Sequence, residues 1–514
     1  MTSPCVYIVG AGPGDPSLIS VRGRRCLQAA DVVVYDHRVP VRLLRLARSG
    51  AEQIDVGAAA PRATDQDAIC FLLAEKARER RAVVRLKWGD PFLFDSGGKE
   101  AMFLHEQGIP FEVVPGIPAL VGGLAYAGVP VTYPGAGDVV VFVRGHEGES
   151  DTTPEVDWGR LAGLPGTLVC YAAVRQIGMI ARELLAHGRP AEESAVLIYD
   201  ATLPSQVTVQ GTLGDIASKA RDGSPGLLVI GPVAGLRDHL RWFDERPLFG
   251  RRIVVTRSRE QAGDLIEMLE ERGAEAIPAP TIHIAPPEDM GQLDRACAEA
   301  SSFDWIVFTS AIGVERFMER LLAQTDVREL KGVRLCTVGA STAARLARYG
   351  LRVDLTPEEY RAEALAEALR GSGSLRDMRF LLPRADIGRE LIADELRAAG
   401  ADVVEVIAYR TTLGTAEGDG EYDIYRMLLD REIDAVTFTS ASTVRNFATI
   451  FGREQAADLL RTTVVASIGP VTAEAAQQLD IATTVMPERY TIPDLVDALV
   501  VHFAKPAGPA GVAT

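Results

Sequence analysis

The back half of this 514-residue chain repeats itself, and that duplication limits the fold more than any other feature. RIVVTRSREQAGDLIEMLEERGAEAI from Arg252 matches RFLLPRADIGRELIADELRAAGADVV from Arg379. DWIVFTSAIGVERFMERL from Asp304 matches DAVTFTSASTVRNFATIF from Asp434, and LCTVGASTAARLARYGLRVDLTPEEY from Leu335 matches VASIGPVTAEAAQQLDIATTVMPERY from Val465. Matched residues lie 127 positions apart (Arg257 and Arg384) or 130 apart (Thr309 and Thr439, Gly339 and Gly469). A solenoid has a much shorter period, roughly 20–50 residues. Each copy joins apolar strands to amphipathic helices, so the spacing predicts two similar α/β lobes with a ligand between them.

The front half also alternates strands and helices. VYIVG leads through a Gly/Pro turn into a helix expected around residues 17–30, followed by DVVVY, AVVRLKWGD, PFEVVPG, DVVVFVRG, GTLVCYA and GLLVIG. RWFDERPLFGRR, charged and broken by Pro247 and Gly250, places a domain boundary near residue 247. The final KPAGPAGVAT predicts a disordered tail over 505–514. A net charge of −16 argues against nucleic acid and anionic membranes as partners. No apolar run approaches the ~18 residues of a membrane span, and VYIVG begins too early for an export signal, so a cytoplasmic location is the expectation. The six cysteines are dispersed without a CxxC pair and the seven histidines without HxxxH spacing, which predicts neither a disulfide framework nor a metal site.

In each repeat a hydroxyl-rich turn follows an apolar strand and precedes a helix, the position where open α/β sheets bind ligands. Thr309, Ser310, Thr439, Ser440 and Ser442 form one such pair of turns, and Ser341 and Thr472 belong to the second, Gly339-Ala-Ser and Gly469-Pro-Val-Thr. They read either as ordinary helix N-caps or as a grip for carboxylates or phosphates. No nucleophile–base pair or Walker loop accompanies them. The chemistry expected here is the shaping of a reactive substrate.

The ordered set IVVTR, VFTSAIGV, TVGASTA, FLLPRAD, VIAYRT, TFTSASTV, SIGPVTAEA and PERYTIPDLVDAL resembles uroporphyrinogen-III synthase over 250–503. That family closes hydroxymethylbilane into a macrocycle while inverting ring D. The resemblance implies a lobe of 250–284 with 410–503, a second lobe of 287–406, and a two-strand linker between them. It assigns Tyr409 as the proton donor that assists loss of the substrate hydroxyl; a Tyr at a strand end also packs with a wet tip.

In the front half, VGAGPGDP (Val9–Pro16) follows a strand and precedes a helix, but it lacks GxGxxG spacing. With Tyr35-Asp36, RLKWGDPFLF, GIPFEVVPGIPA, YAGVPVT and GTLVCYA, it resembles the uroporphyrinogen-III C-methyltransferase branch of the tetrapyrrole methylases over 4–240. The resemblance implies two α/β domains, a homodimer, and S-adenosylmethionine bound by Pro13, Trp88, Gly89, Asp90, Leu93, Pro118, Ala119, Ala172 and Ala201. Asp36 matches the proposed proton acceptor, although an Asp after a strand also serves as a turn residue. The departures are Trp88 in KWGDP for KGGDP, FDSGGKE for FGRGGEE (Ser96 in place of Arg), Ala58 in place of Lys, Pro118 for Thr, Ala172 for Met, and VTYP for LTHR. They remove two cations from a site meant for a polyanion.

The fold expected is therefore α/β throughout: a two-domain tetrapyrrole methylase over 1–246 followed by a two-lobed synthase over 247–504. The leading reading is a bifunctional enzyme, with hydroxymethylbilane and uroporphyrinogen III as substrates, S-adenosylmethionine as methyl donor and no metal. Its alternatives are a synthase carrying a methylase half that binds the donor or a partner without methylating, and a methylase for another tetrapyrrole.

Overall fold

A computed structural model describes residues 6–48, 50–57, 65–79, 81–136, 138–145, 156–172, 174–221, 226–357, 362–371, 373–386, 391–414 and 422–504, with backbone only at 174–175, 259–260, 341, 362–364, 366 and 391. The chain divides into two compact units. The first is Met1–Arg252 with Leu269–Glu275 and Phe503–Thr514; the second is Ile253–Met268 with Ala276–His502.

The first unit contains two sheets. Strands β1 (Val6–Gly10), β2 (Val32–Tyr35), β3 (Glu52–Asp55), β4 (Val83–Lys87) and β5 (Phe111–Val114) form a parallel sheet of order β3-β2-β4-β1-β5. β1 and β4 are adjacent but their chain connections leave in opposite directions, so the carboxyl ends of these two strands form the topological switch point where such sheets take ligands. Their Val-rich runs are buried on both faces, as a helix-covered parallel sheet requires. Strands β6 (Val140–Val143), β7 (Thr167–Ala172), β8 (Ser194–Tyr199), β9 (Val207–Thr212) and β10 (Gly226–Ile230) form a mixed sheet of order β6-β7-β10-β8-β9.

The stretch expected as one helix is a 3-10 turn over Pro16–Leu18 followed by an α-helix over Val21–Ala29, which starts there because the Ser20 side chain caps it by accepting from the Gly23 N–H at 3.0 Å. RWFDERPLFGRR holds neither strand nor helix through Arg251, yet Phe243 and Leu248 are buried. Phe243 packs 4.7 Å from the Tyr126 ring and 5.2 Å from Phe249, so aromatic packing fixes a stretch that local propensity leaves open.

The second unit contains strands β11 (Arg252–Val255), β12 (Glu275–Pro278), β13 (Ile282–Ala285), β14 (Trp305–Phe308), β15 (Arg334–Thr337), β16 (Arg379–Ala385), β17 (Asp402–Leu413), β18 (Ala435–Phe438) and β19 (Val464–Ser467). They form a four-stranded sheet, β12-β11-β18-β19, and a five-stranded sheet, β13-β17-β16-β14-β15. In each, the repeated TSA motif follows a fully buried strand, β14 or β18, and opens a helix, Ala311–Gln324 or Ala441–Phe451. β17 begins parallel to β16 and ends antiparallel to β13, which ties the two halves of the five-stranded sheet into one surface. Among the described residues no helix is long and apolar enough to cross a membrane. The five described cysteines, Cys26, Cys70, Cys170, Cys297 and Cys336, are free and buried; Cys5 and the 505–514 tail lie outside the described residues.

Candidate functional site

Tyr409 sits where β17 changes partners. The register passes from Arg384 opposite Ile407 to Ala385 opposite Tyr409, so Ala408 is an extra residue in the strand. Such a bulge re-aims a side chain, and here both Ala408 and Tyr409 are buried, breaking the alternation of the strand. The Tyr409 hydroxyl lies 3.0 Å from Ser310 Oγ. Ser310 also caps the following helix, accepting from the Gly313 N–H at 2.9 Å. One oxygen thus serves as both cap and partner of the phenol. Burial pushes the Tyr409 phenol above its ordinary value, and nearby Asp386 adds to this while Ser310 opposes it.

The four-stranded sheet carries the matching turn. Ser440 accepts from the Thr443 N–H at 3.3 Å and lies 2.9 Å from Ser442 Oγ, with Ser442 exposed. Thr472 is buried, and its N–H donates to the Gly469 carbonyl at 3.1 Å, in the first turn of the helix Pro470–Gln477. Thr309 is exposed and Thr439 half-buried at their strand ends. Helix Ala340–Ala347 starts at the second Gly-containing turn, but the Ser341 side chain lies outside the described residues.

In the first unit the switch point gathers most of the residues expected to hold the methyl donor. Gly12 and Gly89 exchange backbone hydrogen bonds of 3.2 and 2.8 Å, joining the GAGPGDP and KWGDP loops. Asp90 braces them: its Oδ1 accepts from the Phe92 N–H at 2.9 Å and its Oδ2 from the Gly116 N–H at 3.0 Å. A Cβ on Gly116 would meet the Gly89 carbonyl oxygen at 2.1 Å and the Gly10 Cα at 2.8 Å, so three backbones meet where no side chain fits. Pro13 and Ala201 close the far side, with Pro13 against Gly122 and the Ala201 Cβ against Gly123. Trp88, Leu93, Ala119 and Ala201 share one apolar cluster, and the Pro118 Cα lies 3.8 Å from a Cβ built on Gly89. Ala172 is different: it packs into the core that covers the opposite face of its sheet, while its neighbour Tyr171 faces Trp88 and Phe94 at 6.4 and 6.2 Å. Trp88, bulky where Gly was expected, is accommodated by these rings and by Arg38, 5.8 Å above its own.

The geometry makes the Gly116 position testable. Gly116→Ala must push the loops apart, and overpacking of this kind costs ~1–3 kcal/mol. We expect at least ~10-fold weaker binding of S-adenosylmethionine by calorimetry and a lower melting temperature, since ~1.4 kcal/mol corresponds to a factor of ten. Unchanged values for both would contradict the cradle.

Family models divide the chain in the same order as these two sites. Residues 5–217 match "Tetrapyrrole (Corrin/Porphyrin) Methylases" and residues 263–497 match "Uroporphyrinogen-III synthase HemD". The porphyrin biosynthesis protein HemD of Ruminiclostridium josui is 33% identical over 501 residues, covering 96% of this chain and 97% of that protein. The chain belongs to this fusion family. A siroheme synthase of Neisseria meningitidis is 45% identical over 242 residues, 47% of the chain and 50% of that protein. A uroporphyrin-III C-methyl transferase of Thermus thermophilus, solved with S-adenyl homocysteine, is 37% identical with a TM-score of 0.39, covering 45% of this chain and 99% of that structure.

Within the methylase domain of the fusion, Asp36 joins a buried ionic cluster that its own motif does not announce. Asp36 Oδ1 accepts from Arg85, and its Oδ2 lies 3.7 Å from Lys87 Nζ. Arg85 Nε also donates to Glu100 at 3.1 Å. Lys87 Nζ lies 2.9 Å from Asp95, 2.9 Å from the Ser96 hydroxyl and 3.3 Å from Glu100. Burial would raise the Glu100 carboxyl, yet Arg85 and Lys87 hold it below its ordinary value; burial raises Asp95 despite Lys87. Arg85 and Lys87 lie two residues apart on one face of the buried strand β4. That was the available signal: two cations in an otherwise apolar strand demand partners.

Proposed function

We propose that the synthase domain closes hydroxymethylbilane to uroporphyrinogen III with inversion of ring D, and that the methylase domain methylates uroporphyrinogen III toward precorrin-2. The observation that carries the first part is the Tyr409–Ser310 pair, at the edge of a sheet whose turns also offer helix N-termini to carboxylates. With Ser310 donating to the phenol oxygen, the Tyr409 proton is free for the leaving hydroxyl, which departs as water. The electrophile left behind is attacked by the substituted α-carbon of ring D. The bond from that carbon to its original methylene bridge then breaks and re-forms at the free α-carbon, which inverts the ring, and the lobes would hold the chain in the pose this requires, a task of positioning. The proton that the free α-carbon of ring D loses as the pyrrole regains its aromaticity restores the phenol. Thr309, Ser310, Thr439, Ser440, Ser442 and Thr472, with Ser341, would receive the substrate's carboxylates.

S-adenosylmethionine supplies an electrophilic methyl group. The packed glycines at the switch point fit such a ligand, because they let backbone approach it closely. Pro13, Trp88, Gly89, Asp90, Leu93, Pro118, Ala119 and Ala201, with Ala172 behind them, would hold it. Asp36 would accept the proton lost from the substrate. We place the junction of the two domains near residue 247, in the stretch without strand or helix.

A second reading, donor binding without methylation, is favoured by Lys87: Asp95 and Ser96 already occupy it. Purified chain incubated with hydroxymethylbilane, with and without S-adenosylmethionine, separates the readings by isomer and mass analysis. Isomer III gaining one or two methyl groups is the expected result. Isomer III with no mass gain selects the second reading, and isomer I alone removes the synthase assignment.

A further inference from the structure

The two copies of the repeat differ at one matched cation. Arg384, in β16, has its Nε 2.9 Å from the Glu405 carboxylate. Arg257, two residues past the end of β11, makes no ion pair among the described residues. Among the described residues its side chain makes one weak hydrogen bond, 3.4 Å to the Gln261 side-chain oxygen, and its Nε is buried with no hydrogen-bond partner. Burial draws the guanidinium below its ordinary pKa, with Asp264 opposing from a distance. The next residue repeats the anomaly: Ser258 is 1% exposed and its hydroxyl has no partner. Arg257 as a whole is half-buried, but a buried guanidinium N–H and a buried hydroxyl left unsatisfied are costly and rare, and these two residues adjoin the start of the thirteen-residue helix Arg259–Glu271.

Their surroundings suit an anion. Val255 of β11 pairs with Thr437 of β18, and Phe438 pairs with Ser467 of β19. Arg257 therefore shares one sheet edge with Thr439, Ser440 and the helix starting after Gly469. On a chain of net charge −16, a polycarboxylate must be met by local donors rather than by the overall field, and a cation among them adds most.

We propose that Arg257, with the Ser258 hydroxyl, is the receptor for one carboxylate of the bilane substrate and fixes that pyrrole against the four-stranded sheet. The planar guanidinium offers parallel N–H groups to both carboxylate oxygens, which a Lys cannot. The duplication has thus divided the work: the five-stranded sheet keeps its arginine paired and carries Tyr409, while the four-stranded sheet leaves its arginine open to ligand. This inference rests on the synthase reading.

The test is closure of hydroxymethylbilane by the full chain and by Arg257→Gln and Arg257→Lys. The glutamine variant should raise KM at least ~10-fold with kcat reduced less, the pattern of lost ground-state binding. Its melting temperature should hold or rise, because a stranded charge is gone. Arg257→Lys should recover part of the KM. A KM within twofold of the unaltered chain overturns the proposal, as does a rise in KM accompanied by a fall in melting temperature of several degrees in both variants, the mark of a structural role. If the unaltered chain itself makes no uroporphyrinogen III, the synthase reading fails instead.

Discussion

Replacing Tyr409 by Phe should lower kcat for closure of hydroxymethylbilane by ~100-fold, the lower end for loss of a general acid, with KM and melting temperature nearly unchanged. The ring stays, so the packing of the five-stranded sheet against Tyr409 is kept. What disappears is one hydroxyl with one partner, Ser310, whose oxygen still receives the Gly313 N–H. The net stability of such a bond is about 1 kcal/mol, a small part of the unit's cohesion. The catalytic loss is larger because the phenol, a much stronger acid than the serine hydroxyl beside it, is the member of the pair suited to give a proton to the leaving hydroxyl, and burial keeps it protonated at working pH. Its raised pKa predicts further that kcat shows no limb from Tyr409 below its usual ~10. Steady-state consumption of the bilane, with the ratio of isomers I and III, measures both effects. As closure slows, spontaneous isomer I should grow in the product. A kcat within threefold of the unaltered enzyme would remove Tyr409 from the reaction.

The sequence made legible what is local or repeated. The two TSA turns fall after buried strands in both sheets because strand, turn and helix start lie within a few residues. The GAGPGDP and KWGDP loops meet because they follow adjacent strands at a switch point, a consequence of chain order. Long-range partners were not legible. Nothing near Ser310 in the chain points to Tyr409, 99 residues on; the cap is local and could be read from the turn, but the bond that the same oxygen makes to the phenol could not. Trp88 stood out as a departure, but its tilted packing against Tyr171 depends on the second sheet. Arg257 and Arg384 read alike; a carboxylate from a distant strand, Glu405, sits beside the second and separates their fates. Ala58, where a Lys was expected, lies outside the described residues.

The ionic cluster of the methylase domain leads to a gain of function. Two cations, Arg85 and Lys87, face three carboxylates, Asp36, Asp95 and Glu100, so a polyanionic substrate approaching Asp36 meets an excess of negative charge. Asp95 worsens this twice, adding an anion and engaging Lys87 at 2.9 Å. Asp95→Gly with Ser96→Arg removes that anion, adds a guanidinium and frees one face of Lys87, which keeps Glu100 at 3.3 Å. Hydrogen bonds to charged groups contribute ~1.5–3 kcal/mol each, so two restored contacts correspond to ~100-fold or more. We therefore expect kcat/KM for methylation of uroporphyrinogen III to rise by about 100-fold, or methylated product to become detectable where it was not. The cost is an arginine beside the start of helix Gly97–Glu106, unfavourable to the helix dipole by ~0.3–1 kcal/mol, a modest fall in melting temperature. Binding of S-adenosylmethionine should not change, because neither residue belongs to the glycine cradle. Product mass after incubation with uroporphyrinogen III decides the matter: a double variant that binds the donor yet adds no more methyl groups than the unaltered chain would show that charge at Lys87 does not limit this domain.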